Sequence, residues 1–108
     1  MTMTERLEKM LASGKDDPML RFGLGSAYFN EGDHEQAVTH LRACVDQDPS
    51  YSAAYKLLGK AHYELKQDTV ATEILEKGLE IAQQQGDKQS EKEMQVYLKR
   101  LRKRQAQE

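Results

Sequence analysis

The sequence contains no tryptophan, one cysteine and two prolines, and it holds no long apolar run. Each shortage excludes something. A single cysteine, Cys44, allows no internal disulfide and no cysteine-rich zinc site. Its thiol reads as a small buried side chain in a helix, because free cysteine is among the most buried residue types. Two prolines leave most of the chain free to be helical. No stretch approaches the roughly 18 apolar residues that a membrane span needs. Glu5, Arg6, Glu8 and Lys9 break any apolar signal-peptide core. The expected address is therefore the cytoplasm.

The residues that are present suit a small soluble chain. Of 108 residues, 38% are hydrophobic and 31% charged, so one domain over residues 1–108 with a thin core is expected. The formal net charge of −2 hides a division. Residues 99–108 carry five basic side chains and one acid, whereas residues 1–98 carry eleven basic and seventeen acidic ones. The body is acidic and the tail is basic.

Shifted by 34 residues, the chain overlays itself without a gap. Leu24-Gly25 falls on Leu58-Gly59, Ala27 on Ala61, Ala37 on Ala71, Leu41 on Leu75 and Val45 on Leu79. Cys44 falls on Gly78, small on small. The apolar spacing is helical: Leu24, Ala27 and Tyr28 follow i, i+3, i+4, as do Leu41, Cys44 and Val45.

Punctuation divides each repeat into two helices. Asp17 is placed to cap a helix starting at Pro18, which Gly32 ends. Asp33, with Gln36 three residues on, predicts a capping box for a second helix, which ends at Pro49. Ser50 or Ser52 opens a third helix running to about Lys66. Asp68 is expected to cap a fourth, which runs to Gln85 before Gly86. Gly25, Gly59 and Gly78 lie inside these helices, where each is about 1 kcal/mol less favourable than alanine. Close approach of two helix backbones would explain them, with Ala37 and Ala71 as the expected small partners.

The first repeat reads Arg21-x-x-Leu24-Gly25-x-x-Tyr28, then Ala37-x-x-x-Leu41, then Pro49; the second reads Tyr55-x-x-Leu58-Gly59-x-x-His62, then Ala71-x-x-x-Leu75, then Gln83. This pattern and its period resemble the tetratricopeptide repeat (TPR) family. Arg21 stands in place of the usual tryptophan, His62 in place of tyrosine and Gln83 in place of proline. The turn glycine Gly32 is matched by Lys66. The missing proline predicts a longer fourth helix. The resemblance implies an all-α fold, a right-handed α-α superhelix of antiparallel helix pairs with about six helices. Repeat one would cover 18–51 and repeat two 52–85. An N-terminal helix over 3–13 resembles the second half of a preceding repeat. A polar helix over 88–104, with Ser90 and Glu93 as its expected capping box, resembles the solvating cap of repeat arrays.

The resemblance further implies that the first helix of each pair lines a concave groove. The groove stripes would be Met19, Phe22, Ser26, Phe29 and Asn30 in repeat one, and Ala53, Lys56, Lys60, Tyr63 and Glu64 in repeat two, each set on one helical face. Phe22 would then neighbour Lys56, Ser26 would neighbour Lys60, and Phe29 would neighbour Tyr63. Phe22 and Phe29 exceed what the core pattern needs. Aromatics beside lysines suit a peptide or protein segment carrying apolar and acidic groups. A clamp for a partner's terminal carboxylate, known in this family, fits less well. Lys56 stands in one clamp position, but Lys60 falls where asparagine is typical, and the last helix offers Glu91 and Glu93.

Catalysis finds no support. His34 is expected at the exposed start of a helix; His40 and His62 lack zinc-type spacing, and His62 reads as a buried, hydrogen-bonded group. Gly23-Leu24-Gly25 has no strand before it and is no phosphate loop. No enzyme activity, cofactor or metal is expected. Two further readings stand beside the groove. Met3, Met10 and Leu11 could form an apolar edge pairing two copies into a homodimer. The basic run Lys99–Arg104 could meet nucleic acid or an anionic surface, a reading disfavoured by the acidic body and by the tendency of cations to complement a helix C-terminus.

Overall fold

The computed structural model describes residues 1–107. Six helices follow one another: α1 (Met3–Ala12), α2 (Pro18–Asn30), α3 (His34–Gln47), α4 (Ser52–Glu64), α5 (Asp68–Gln85) and α6 (Lys88–Ala106). No strand occurs among the described residues. The helices form the right-handed superhelix of antiparallel pairs, with α2 against α3 and α4 against α5. In addition α2 touches α4 and α4 touches α6, whereas the backbones of α3 and α5 stay further apart among the described residues. Inner helices that adjoin, with outer helices that splay, put the concave side on α2, α4 and α6.

The pairing rests on the helical glycines. A Cβ on Gly25 would lie 2.5 Å from Leu41 Cγ, and one on Gly59 would run into the Cγ and Cδ2 of Leu75. The expected close approach is there, but its partners are leucines one turn beyond Ala37 and Ala71. A leucine side chain fills the space that a Cβ would take. A Cβ on Gly78 would come within 2.6 Å of Tyr55 Cβ and 2.8 Å of Met94 Sδ, so the third glycine lets α4 and α6 both close on α5. Leu24, Leu41, Leu58 and Leu75 are fully buried, and Met94, Leu98 and Leu101 seat α6 on a second core cluster built with Ala71, Leu75 and Ala82 of α5. The Cys44 thiol is buried, donates to the Pro18 carbonyl at 3.3 Å and is pushed up to about 11 by burial, as an inert packing residue should be.

Some caps follow the sequence reading and some do not. Asp17 accepts from the Leu20 amide at 2.8 Å, with Pro18 opening the helix. Asp33 accepts from the Gln36 amide, but the return bond from the Gln36 side chain is absent among the described residues, so the box is half formed. Thr2 and Glu5 form a full box on α1 that the sequence reading passed over. The start of α4 has no side-chain cap; Ser52 instead donates to Asp87, 2.7 Å away and 35 residues on. Gln67, not Asp68, precedes α5, and Asp68 turns to Arg104. Asp87 caps α6 by accepting from the Ser90 amide, which replaces the box expected from Ser90 and Glu93. As expected without the proline, α5 is longer than α3, 18 residues against 14.

The turns between paired helices match in spite of their residues. Gly32 has φ 82° and Lys66 has φ 60°. Lysine thus adopts the left-handed conformation that glycine takes without a Cβ clash. Replacing Lys66 by glycine should therefore stabilise the protein by about 0.5–1 kcal/mol, the relieved clash exceeding the added freedom of the unfolded chain. Gly59→Ala should destabilise it by about 1–3 kcal/mol through overpacking. In a Leu75→Ala background the same change should instead stabilise by up to about 1 kcal/mol, since the colliding atoms are gone and alanine favours the helix. Urea denaturation of the four proteins in that cycle checks this; equal effects in both backgrounds would refute the collision.

Candidate functional site

The inner layer gathers charged and aromatic side chains from three helices. On α4, Lys56, Lys60 and Tyr63 follow one face and are half-buried, while Glu64 is exposed. On α2, Phe22, Ser26 and Phe29 are half-buried and Asn30 is exposed. Ala53 is half-buried and Met19 exposed. The two phenylalanine rings also meet partners outside the two stripes. Phe22 stacks on Tyr51, with ring centroids 5.0 Å apart and 23° between planes. Its ring therefore also serves the junction between α3 and α4. Phe29 meets His34 edge-on, and its ring centroid is 5.8 Å from the Lys60 ammonium.

The third wall is α6. Glu93 Oε2 lies 3.0 Å from Lys56 Nζ, and its Oε1 lies 4.0 Å from Lys60 Nζ. The Tyr97 ring approaches Lys60 from the other side, at 5.5 Å, and meets Tyr63 edge-on at 5.1 Å. Arg100 lies 4.9 Å from the Tyr97 centroid. Lys60 is thus held between Phe29 and Tyr97, in range of the ring quadrupoles. Glu93, Tyr97 and Arg100 thus adjoin the lysines from a helix that the sequence presents as a solvating cap, with Glu93 counting against a carboxylate clamp and Tyr97 on its apolar side. The available signal was spacing: Glu93, Tyr97 and Arg100 recur at i, i+4, i+7 beside the buried Met94, Leu98 and Leu101.

The basic run divides into a paired part and an exposed part. Arg104 forks onto both carboxylate oxygens of Asp68, donates to the Tyr63 carbonyl at 3.1 Å and lies 4.0 Å from the Tyr63 ring centroid. Lys99, Arg102 and Lys103 are exposed.

The histidines have structural partners. His62 is buried, with Nδ1 2.7 Å from Gln67 Oε1. His34 is half-buried against Phe29 rather than exposed. His40 is buried, stacked on Tyr28 at 5.4 Å. Arg21 Nη1 is 3.0 Å from His40 Nδ1, and a guanidinium only donates, so Nδ1 accepts and the proton sits on Nε2, 3.6 Å from Glu8 Oε1. Arg21 also forks onto Asp16, whose carboxyl is held down to about 2 by the bonds from Arg21 and then Gln47. The residue in the usual tryptophan position has become the centre of a polar network joining α1, α2 and α3. Among the described residues no three His, Cys, Asp or Glu side chains are placed to hold a metal ion, and no helix is long and apolar enough to cross a membrane.

Comparison with known proteins agrees with this fold. Family models described as tetratricopeptide repeat match residues 29–90 and residues 5–52. The chain belongs to the tetratricopeptide repeat family. It is 54% identical over 99 residues to a TPR repeat-containing protein of Pseudomonas aeruginosa, spanning 92% of this chain and 94% of that one. A Bordetella parapertussis protein solved in solution is 45% identical, with a TM-score of 0.87 over 100% of this chain and 94% of that one. The first TPR of Spaghetti bound to an HSP90 peptide shares the fold at 22% identity, with a TM-score of 0.82 over 95% of this chain and 77% of that one.

The His40 network makes the stability of this TPR chain depend on pH. Burial, opposed by the Glu8 charge, holds His40 below its usual 6.5. As pH falls through 6.5 the unfolded chain takes up this proton before the folded one does, so stability declines from there down to the folded value. The Asp16 contribution is lost lower, from 3.8 toward about 2. Thermal melts between pH 7.5 and 5.5 should show a falling Tm that His40→Gln flattens. An equal slope in the variant would rule His40 out as its source.

Proposed function

We propose that this TPR chain is a non-enzymatic binding module that takes a peptide or protein segment along the inner face of α2, α4 and α6. One observation carries the reading. Three helices converge on Lys60, which sits half-buried between Phe29 and Tyr97 with Lys56 alongside. The helix crossings do not need such a patch. Aromatic walls offer contact area at small conformational cost, and cations give orientation. The role of the family as protein-interaction modules supports it, as does a peptide-bound relative of the same fold, the first TPR of Spaghetti. The groove residues proposed are Phe22, Ser26, Phe29, Asn30, Lys56, Lys60, Tyr63 and Glu64, joined by Glu93, Tyr97 and Arg100.

A second reading has its own observation. Met1, Met3 and Met19 are 69%, 66% and 77% exposed. Leu7, Met10, Met19 and Leu20 line a shallow cleft of about 180 Å³ between α1 and α2. Pairing of two copies there would bury these side chains. Light scattering after size exclusion separates the two readings: a dimer that Met3→Glu and Met19→Glu dissociate favours the second. For the groove, affinity capture from the native lysate should recover a partner with the wild-type chain and lose it by about tenfold or more with Lys56→Glu and Lys60→Glu. Undiminished capture by a variant of unchanged melting temperature would sink the groove reading.

A further inference from the structure

The lysines of the groove already hold a carboxylate. Glu93 reaches from α6 to Lys56 at 3.0 Å and to Lys60 at 4.0 Å, with all three side chains only partly exposed, at 37%, 19% and 21% respectively. We propose that Glu93 is a resident competitor, standing where an acidic side chain of the partner binds, and that docking of an acidic peptide displaces it. This rests on the groove reading and adds the partner's chemistry and the regulation of its access.

Charge decides the class of partner. Lys56 and Lys60 share Glu93 as their one ion-pair partner among the described residues, and Arg100 makes no ion pair with a carboxylate there; Asp87 feels the Lys56 charge without pairing to it, and Glu64 is exposed to solvent. The contact to Lys60 is at the outer limit of an ion pair, so one carboxylate satisfies Lys56 and leaves Lys60 incompletely matched. The patch therefore takes further negative charge. The rings of Phe29, Tyr63 and Tyr97 around it suit an apolar side chain next to the acid. An acidic peptide fits better than a nucleic acid because the rest of the chain is acidic, with seventeen acidic against eleven basic side chains over residues 1–98. That excess repels a polyanion longer than the patch.

Displacement needs no movement of the helix. Met94, Leu98 and Leu101 are buried under α6 and Arg104 ties its far end to Asp68, so α6 stays seated while a partly exposed glutamate swings outward. An ion pair of this exposure contributes little, so a matched ligand can outcompete it, and its presence lowers affinity by only a few-fold. That is enough to discriminate against ligands offering a single weak charge.

The test uses fluorescein-labelled peptides read by anisotropy: one of alternating glutamate and leucine, its glutamine–leucine counterpart, and an oligouridine of similar length. Glu93→Gln keeps the shape and removes the competing charge. It should bind the acidic peptide about three- to tenfold more tightly than wild type does, with the neutral peptide unchanged. The gain should vanish when Lys56→Gln is added. Melting curves confirm that each variant is folded. An unchanged or weakened acidic-peptide affinity in Glu93→Gln overturns the competitor role. Absence of acidic-peptide binding by both proteins, or equal binding of the neutral peptide, overturns the partner chemistry. A gain for oligouridine as large as for the peptide overturns the choice of peptide over nucleic acid. The groove reading itself fails separately, by lysate capture that is indifferent to Lys56 and Lys60.

Discussion

The structure depends on how closely the helices of each pair meet. At Gly25 and Gly59 a leucine from the partner helix occupies the space where a Cβ would sit. The glycines weaken their own helices by about 1 kcal/mol each. Burying Leu41 and Leu75 completely returns about 1.5–3 kcal/mol apiece. Because the contact recurs 34 residues later, the second pair repeats the close approach of the first, and the pairs stack with α4 adjoining both α2 and α6. Gly78 extends the same device by one layer, admitting Tyr55 and Met94 to the surface of α5. Curvature, and with it the inner face, follows from these contacts.

What the sequence makes legible is what short-range rules govern. Pro18 at a helix start, Asp17 as its cap and Gly32 and Gly86 as left-handed stops are each decided within a few residues. The period adds the pairing of helices. The identity of the residue that meets each glycine was not legible, because spacing defines a face and not the side chain across from it. Caps failed where a distant partner outcompeted the local one. Ser52 does open α4, yet its hydroxyl donates to Asp87 rather than capping the helix. Asp87 also takes the Ser90 amide, and so fixes the start of α6 itself. Lys66 shows the converse, a residue that would not choose a left-handed turn held there by the helices on either side.

The candidate site was half legible for a related reason. Lys56, Lys60 and Tyr63 follow from the register of the repeat. Glu93 does not, because it falls on Gly59 at that shift and α5 runs on past the length of α3, whereas Tyr97 falls on Tyr63 and, one repeat earlier, on Phe29. From sequence, α6 reads as a mostly polar cap with Met94, Tyr97, Leu98 and Leu101 on one side. Its polarity conceals two faces. One carries Met94, Leu98 and Leu101 into the core, and the adjoining edge carries Glu93, Tyr97 and Arg100 to the lysines of α4.

Arg104 shows why counting charges misdescribes this tail. A lysine there could supply the same charge but not the same contacts. The planar guanidinium forks onto Asp68 and covers the Tyr63 ring at once, which a point-like ammonium cannot do. Tyr63, held in this way, presents its ring edge-on to Tyr97, and Tyr97 borders Lys60. A continuous series of contacts therefore runs from the turn between α4 and α5, through Asp68 and Arg104, to the middle of the inner face. The most C-terminal cation of the run is a packing element whose charge is already matched. Positive charge available to a partner must be counted without it, on Lys99, Arg102 and Lys103 at the surface and on Arg100 beside the groove.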